Sequence, residues 1–156
     1  MHVALPRGVA PAYDARMVER EERGDGSFRL WNARGSVLWI LHNSRVLELK
    51  LDGHAEQEVL GPIMAEVAAL LDRTSGVYVF SDLEELEGYE ADLWKNALTW
   101  VGQHRSRMAG LFALQTSQAV EMGTRLLNLF SANALIAFTH RPEYLKKLRE
   151  CLKLAP

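Results

Sequence analysis

The densest run of ionisable side chains lies between positions 82 and 92. Asp82, Glu84, Glu85, Glu87, Glu90 and Asp92 place six carboxylates there with no base among them. Such a run has two readings. It can be a solvated loop whose last acids enter a helical first turn, each stabilised by the helix dipole by about 0.3–1 kcal/mol. It can also be an acidic partner-binding surface, comprising Asp82, Glu84, Glu85, Glu87, Gly88, Tyr89 and Glu90. That surface would stand at the carboxyl end of a central strand, where open α/β sheets place their ligands. The other reactive side chains do not assemble. Histidines stand at 2, 42, 54, 104 and 140, with no pair four residues apart and no cysteine pair to join, so no zinc-type spacing exists. Cys151 falls in an amphipathic segment rather than at a strand-to-helix nucleophile elbow. No glycine-rich phosphate loop follows a strand. The expectation is a protein that is not an enzyme and has no catalytic residue, metal or cofactor.

Two further features could recognise a partner. The segment 141–153 carries five bases, Arg141, Lys146, Lys147, Arg149 and Lys153, against Glu143 and Glu150. This reads first as a solvated helix face with cations near its carboxyl end, and otherwise as a contact for an acidic partner. Tryptophans at 31, 39, 94 and 100 read mainly as core, because aromatic side chains dominate burial. Trp94 fits an inward stripe, whereas Trp100 lies off it and suits an interface or a pocket.

The chain has 156 residues, 48% hydrophobic and 24% charged, with a net charge of -2. That is one domain with a sizeable core, and nothing in its charge points to nucleic acid or an anionic membrane. No apolar run reaches the roughly 18–20 residues of a membrane span. The first residues lack the apolar stretch of a secretory signal, and a lone cysteine suits a reducing compartment; the expected location is cytoplasmic.

Residues 1–26 show no sustained period and read as a loose arm, with room for a short helix over 15–23; the domain proper is expected over 27–156. Strands are expected at 28–32, 37–41 and 46–52, with a tight turn at Asn43-Ser44 between the second and third. Leu47, Leu49 and Leu51 alternate with Glu48, Lys50 and Asp52. Helical spacing then takes over at Leu60, Ile63, Met64, Val67 and Leu71. The favoured helix starts near Ala55, after a lead-in over 52–54, and bends at Pro62. Strands follow at 77–80, 108–114 and 134–138, and helices at 90–104, 117–130 and from about 141. The fold class is α/β, a mixed sheet opening with an antiparallel β-meander followed by αβαβαβα.

Four segments in this order carry a family resemblance: Val77–Leu83, a central strand ending in Asp82; Glu90–Leu98, a Trp-bearing helix; Met108–Ala113, a buried strand; and Phe138–Leu145, a strand end entering the last helix. Over about residues 28–153 the chain resembles the STAS domain (sulfate transporter and anti-sigma-factor antagonist), in particular its sporulation-protein-AA-like branch, which is grouped with the Sec14-type lipid-binding fold. The resemblance implies a regulatory, non-enzymatic module of bacterial type that binds a protein partner such as a regulatory protein or kinase. In that family a phosphorylatable Ser or Thr follows the strand-end Asp. Here no Ser or Thr follows Ser81 through Asp92, so the resemblance implies docking without the usual phosphorylation. The Sec14-type side implies an alternative, a small apolar or lipid-like ligand in a pocket lined by Trp39, Trp94 and Phe112. A third reading is a structural homodimer formed through the meander edge or the Trp100 surface.

Overall fold

The computed structural model describes residues 17–116 and 135–154. The expected helix over 117–130 lies outside the described residues. Seven strands form one sheet in chain order: β1 (Glu19–Glu22), β2 (Phe28–Trp31), β3 (Gly35–Asn43), β4 (Val46–Ala55), β5 (Val77–Tyr89), β6 (Met108–Leu114) and β7 (Leu135–Phe138). The pairs from β1 to β4 are antiparallel and those from β4 to β7 are parallel. Three α-helices, α1 (Gln57–Arg73), α2 (Leu93–His104) and α3 (Arg141–Leu154), and a short 3-10 turn at Arg105–Arg107 complete the described residues. The mixed α/β class expected from the sequence is observed.

The alternation of β4 divides the molecule into two layers of core. Leu47, Leu49 and Leu51 face α1 and α2, and they pack with Val79, Leu111, Ile63, Val67 and Val101. Val46 faces the other way and joins Phe80, Phe112, Tyr144, Leu148 and Cys151 beneath α3. Phe80 stacks on Phe112 with centroids 4.6 Å apart, and Tyr144 meets Phe80 edge-on at 5.6 Å. The central strands are thus covered on both faces, which is why they read as continuous apolar runs.

The hairpins have local causes. Asn43 Oδ1 accepts from Arg45 N at 2.9 Å and closes the turn between β3 and β4. Asn32 Oδ1 accepts from the backbone N–H of Arg34 and Gly35, shaping the turn between β2 and β3. Gly35 and Gly53 are paired across β3 and β4. Gly53 holds φ at +71°, and a Cβ there would stand 2.4 Å from the Arg34 carbonyl oxygen, so the chains meet backbone to backbone.

Three expectations are corrected. Residues 19–22, inside the segment read as admitting a helix, form a strand, since pairing with β2 and the guanidinium of Arg20 over the Phe28 ring at 3.9 Å supply the anchor a helix would lack. Residues 52–54 belong to β4 rather than to a helix lead-in, because parallel pairing with β5 extends to Ala55↔Tyr89; α1 starts at Gln57 and contains Pro62. The acidic run is mostly strand: Asp82 to Glu87 lie in the second half of β5, which ends at Tyr89, and α2 starts at Leu93 rather than Glu90.

Candidate functional site

The acidic run owes its strand conformation to register. β6 accompanies β5 only as far as the pair Asp82↔Leu114, whereas β4 accompanies it to Tyr89. The segment Leu83–Tyr89 therefore projects past β6 as one half of a two-stranded ribbon. Two register shifts interrupt that ribbon, one between Lys50 and Asp52 and one between Gly53 and His54. Bulges of this kind re-aim side chains. Glu84 N donates to Asp82 Oδ1 at 3.2 Å across the first one. As a result Leu83 and Leu86, three residues apart, are both buried, while Glu85 and Glu87 are exposed.

The seven residues read as one acidic surface play different parts. Glu85 and Glu87 point outward and share a shallow depression with Asp52, Gly53 and Glu84. Gly88 lies against His54, where an added Cβ would stand 3.1 Å from Nδ1. Tyr89 packs edge-on to Trp94 at 5.2 Å. Glu90 turns back and its Oε1 accepts from Gln57 N at 2.9 Å, capping α1. Asp82 is 5% exposed. Its Oδ2 accepts from Arg141 Nη2 at 2.8 Å, and Arg141 Nε donates to Glu84 at 2.9 Å. These bonds hold the Arg141 guanidinium firmly in its charged form, the hydrogen bond to Asp82 being the largest cause.

A second buried carboxylate was not singled out from the sequence. Glu48, on β4, is 3% exposed. It accepts from Tyr144 Oη at 2.8 Å and lies 2.9 Å from His42 Nε2. Burial first, and the Glu48 charge second, push the Tyr144 phenol far above its ordinary range. Period two alone put Glu48 on the solvent side of a half-buried strand. Only the docking of α3, 96 residues on in sequence, covers it. Arg141, read as part of a solvated basic face, likewise serves as an inward clamp. Burial raises the pKa of the Cys151 thiol, which keeps it from thiolate chemistry. Among the described residues no group of three or more His, Cys, Asp or Glu could hold a metal ion, and no described helix is long and apolar enough to cross a membrane.

On the first face an apolar cavity of about 150 Å³ lies between the sheet and the helices α1 and α2. Leu86, Tyr89, Trp94, Trp100 and Met64 are among its walls. Trp39, Trp94 and Phe112 are not brought together. Trp39 stacks on Phe28 and does not reach the cavity, and Phe112 belongs to the opposite core. Trp100, which fell off the helical stripe, does line it while stacked on His104 at 4.4 Å.

Solved structures share this fold. An uncharacterized protein of the DUF3478 family from Shewanella loihica PV-4, itself described as having a SpoIIAA-like fold, matches at TM-score 0.52 and 17% identity, over 85% of this chain and 92% of that one. The fold is SpoIIAA-like. An anti-sigma factor antagonist from Mycobacterium paratuberculosis matches at TM-score 0.52 and 14% identity, covering 72% of this chain and 92% of that one. The phosphorylated form of the Bacillus cell fate determinant SpoIIAA does so at TM-score 0.52 and 12% identity, covering 72% and 99%. No family model and no curated protein matches the sequence. The SpoIIAA-like fold was thus visible in the order of segments, while its likeness to these structures lies in architecture far more than in residues.

Proposed function

We propose that this chain is a non-enzymatic regulatory module that acts in the cytoplasm by binding another protein through the projecting end of the β4–β5 ribbon. One observation carries the reading. Glu85 and Glu87 are exposed on a bulged strand that overhangs the sheet, next to Asp52. A bulged, paired strand presents its charges on a stiffer base than a loop does. The partner is expected to be basic, and its association sensitive to salt. The neighbours with anti-sigma antagonist names support a regulatory role. A phosphate would add about -1.5 to -2 charge. Here the charge is permanent, since no Ser or Thr lies between Asp82 and Asp92.

The test is affinity capture with wild-type protein and with the double variant Glu85→Lys/Glu87→Lys. Both side chains are exposed, so the fold is expected to persist. A partner captured by the wild type, eluted by salt and absent with the double variant supports the reading. Identical capture by both proteins would sink it.

The apolar cavity favours a second reading, the binding of a small apolar ligand. Its volume of about 150 Å³ is the size that admits benzene in an apolar protein interior. Methyl resonances of Met64 and Leu86 are expected to shift when the protein is saturated with benzene. Unmoved methyl signals would remove this alternative.

A further inference from the structure

The open part of the second face holds a hollow of about 420 Å³ beside the first turn of α3. Its floor is set by strand register. Arg29, Leu38, Lys50 and Asp82 stand opposite one another across β2, β3, β4 and β5. Two residues further along β4, and so roughly 7 Å away along the strands, Ser36, Asp52 and Glu85 form the next row. Arg141 closes one wall and Arg23 lies at the rim, drawn towards Glu21 at 3.8 Å.

The charges in this hollow are incompletely paired. Asp82 is taken by Arg141. Asp52 Oδ2 accepts from Ser36 Oγ at 2.7 Å but meets no cation among the described residues. Glu85 and Lys50 have no hydrogen-bond or ion-pair partner among the described residues, and Arg29 has only the face of Trp31, 5.0 Å away. Cations on one row thus face carboxylates on the next across an open space, with Leu38 between Arg29 and Lys50. An anion alone would meet Asp52 and Glu85, and a cation alone would meet Arg29 and Lys50. The charge order suits a molecule that carries both signs a few ångströms apart. We propose that this hollow binds a small zwitterion of the α-amino-acid class, with its carboxylate on Arg29 and Lys50 and its ammonium on Asp52 and Glu85. The site overlaps the proposed docking surface at Asp52 and Glu85, whereas Glu87 lies outside it.

The experiment is a titration of the full chain, followed by amide resonances, with the standard α-amino acids one at a time. The best binder is then compared with its N-acetyl and methyl-ester derivatives. At least one amino acid is expected to move the Lys50, Asp52 and Glu85 amides. Removal of either ligand charge is expected to weaken binding about tenfold or more, and so is Lys50→Ala, while Lys146→Ala and Glu87→Lys leave it unchanged. Lys50 is exposed, so its loss does not threaten the fold. The proposal is overturned if no amino acid moves these amides, if the N-acetyl derivative binds as well as its parent, or if Lys50→Ala binds like the wild type. Loss of partner capture by Glu87→Lys alone, with its amino-acid binding intact, separates this site from the docking surface.

Discussion

Glu48 and Asp82 are carboxylates enclosed between a sheet and a helix, and each is tolerated because a donor from the first turn of α3 reaches it. Tyr144→Phe deletes one donor and leaves Glu48 with His42 alone, so a loss of about 1–3 kcal/mol is expected in urea unfolding. The phenol is favoured neutral in the folded state, which raises its folded pKa. Its contribution is therefore complete below the ordinary tyrosine pKa near 10 and disappears as pH climbs beyond it. Wild-type melting temperature should fall more steeply above about pH 10 than that of Tyr144→Phe; parallel curves would contradict the assignment. Arg141 spans Asp82 and Glu84 with two different nitrogens. A lysine keeps the charge but not the planar donor set. Arg141→Lys should recover only part of the stability lost in Arg141→Ala, read as denaturant midpoints, and full recovery would show that charge alone matters. At this scale the sequence was least legible. Asp82 reads as the end of a strand, but the strand runs on to Tyr89, and the bonds of Asp82 to Arg141 and of Glu48 to Tyr144 join residues 59 and 96 apart.

Most strands and helices are readable because their apolar spacing is regular. Residues 108–114 and 77–80 are runs that both faces cover, and β4 alternates cleanly at Leu47, Leu49 and Leu51. The second half of β5 defeats the same rule. Leu83, Leu86 and Tyr89 recur every third residue, a spacing foreign to a period-two strand and closer to a helix face, and acids have poor strand propensity. Bulges absorb the mismatch, and bulges follow from pairing with β4, which local sequence does not encode. Two glycines, one in the β3–β4 pair and one in α2, give a measurement of opposite signs. Gly53→Ala forces a side chain into positive φ and against the Arg34 carbonyl, and should cost about 1–3 kcal/mol. Gly102 lies in α2 with nothing within 4 Å of an added Cβ, so Gly102→Ala should stabilise by about 0.5–1 kcal/mol. A Gly53→Ala melt no lower than that of the wild type would refute the close approach of β3 and β4.

The described residues form a sheet covered unevenly by helices. β4 and β5 have cores on both sides, whereas β1 is an edge strand with all four residues exposed. Amide exchange should be slowest in β4 and β5 and fastest in β1, since local opening follows the number of buried contacts released; equal protection across the sheet would show that the edge is held by something else. Strand β1 also carries Glu19-Arg20-Glu21-Glu22, charges that discourage edge-to-edge pairing with another copy. The strand order has one more consequence. Each strand's neighbour is the strand made immediately before it, so a ribosome need never wait for a distant segment to finish a ladder. By the time Ala55 is free of the exit tunnel, four strands are available to pair by short hairpins, and every later strand has an existing edge on which to grow. Vectorial synthesis and sheet propagation run in the same direction in this chain.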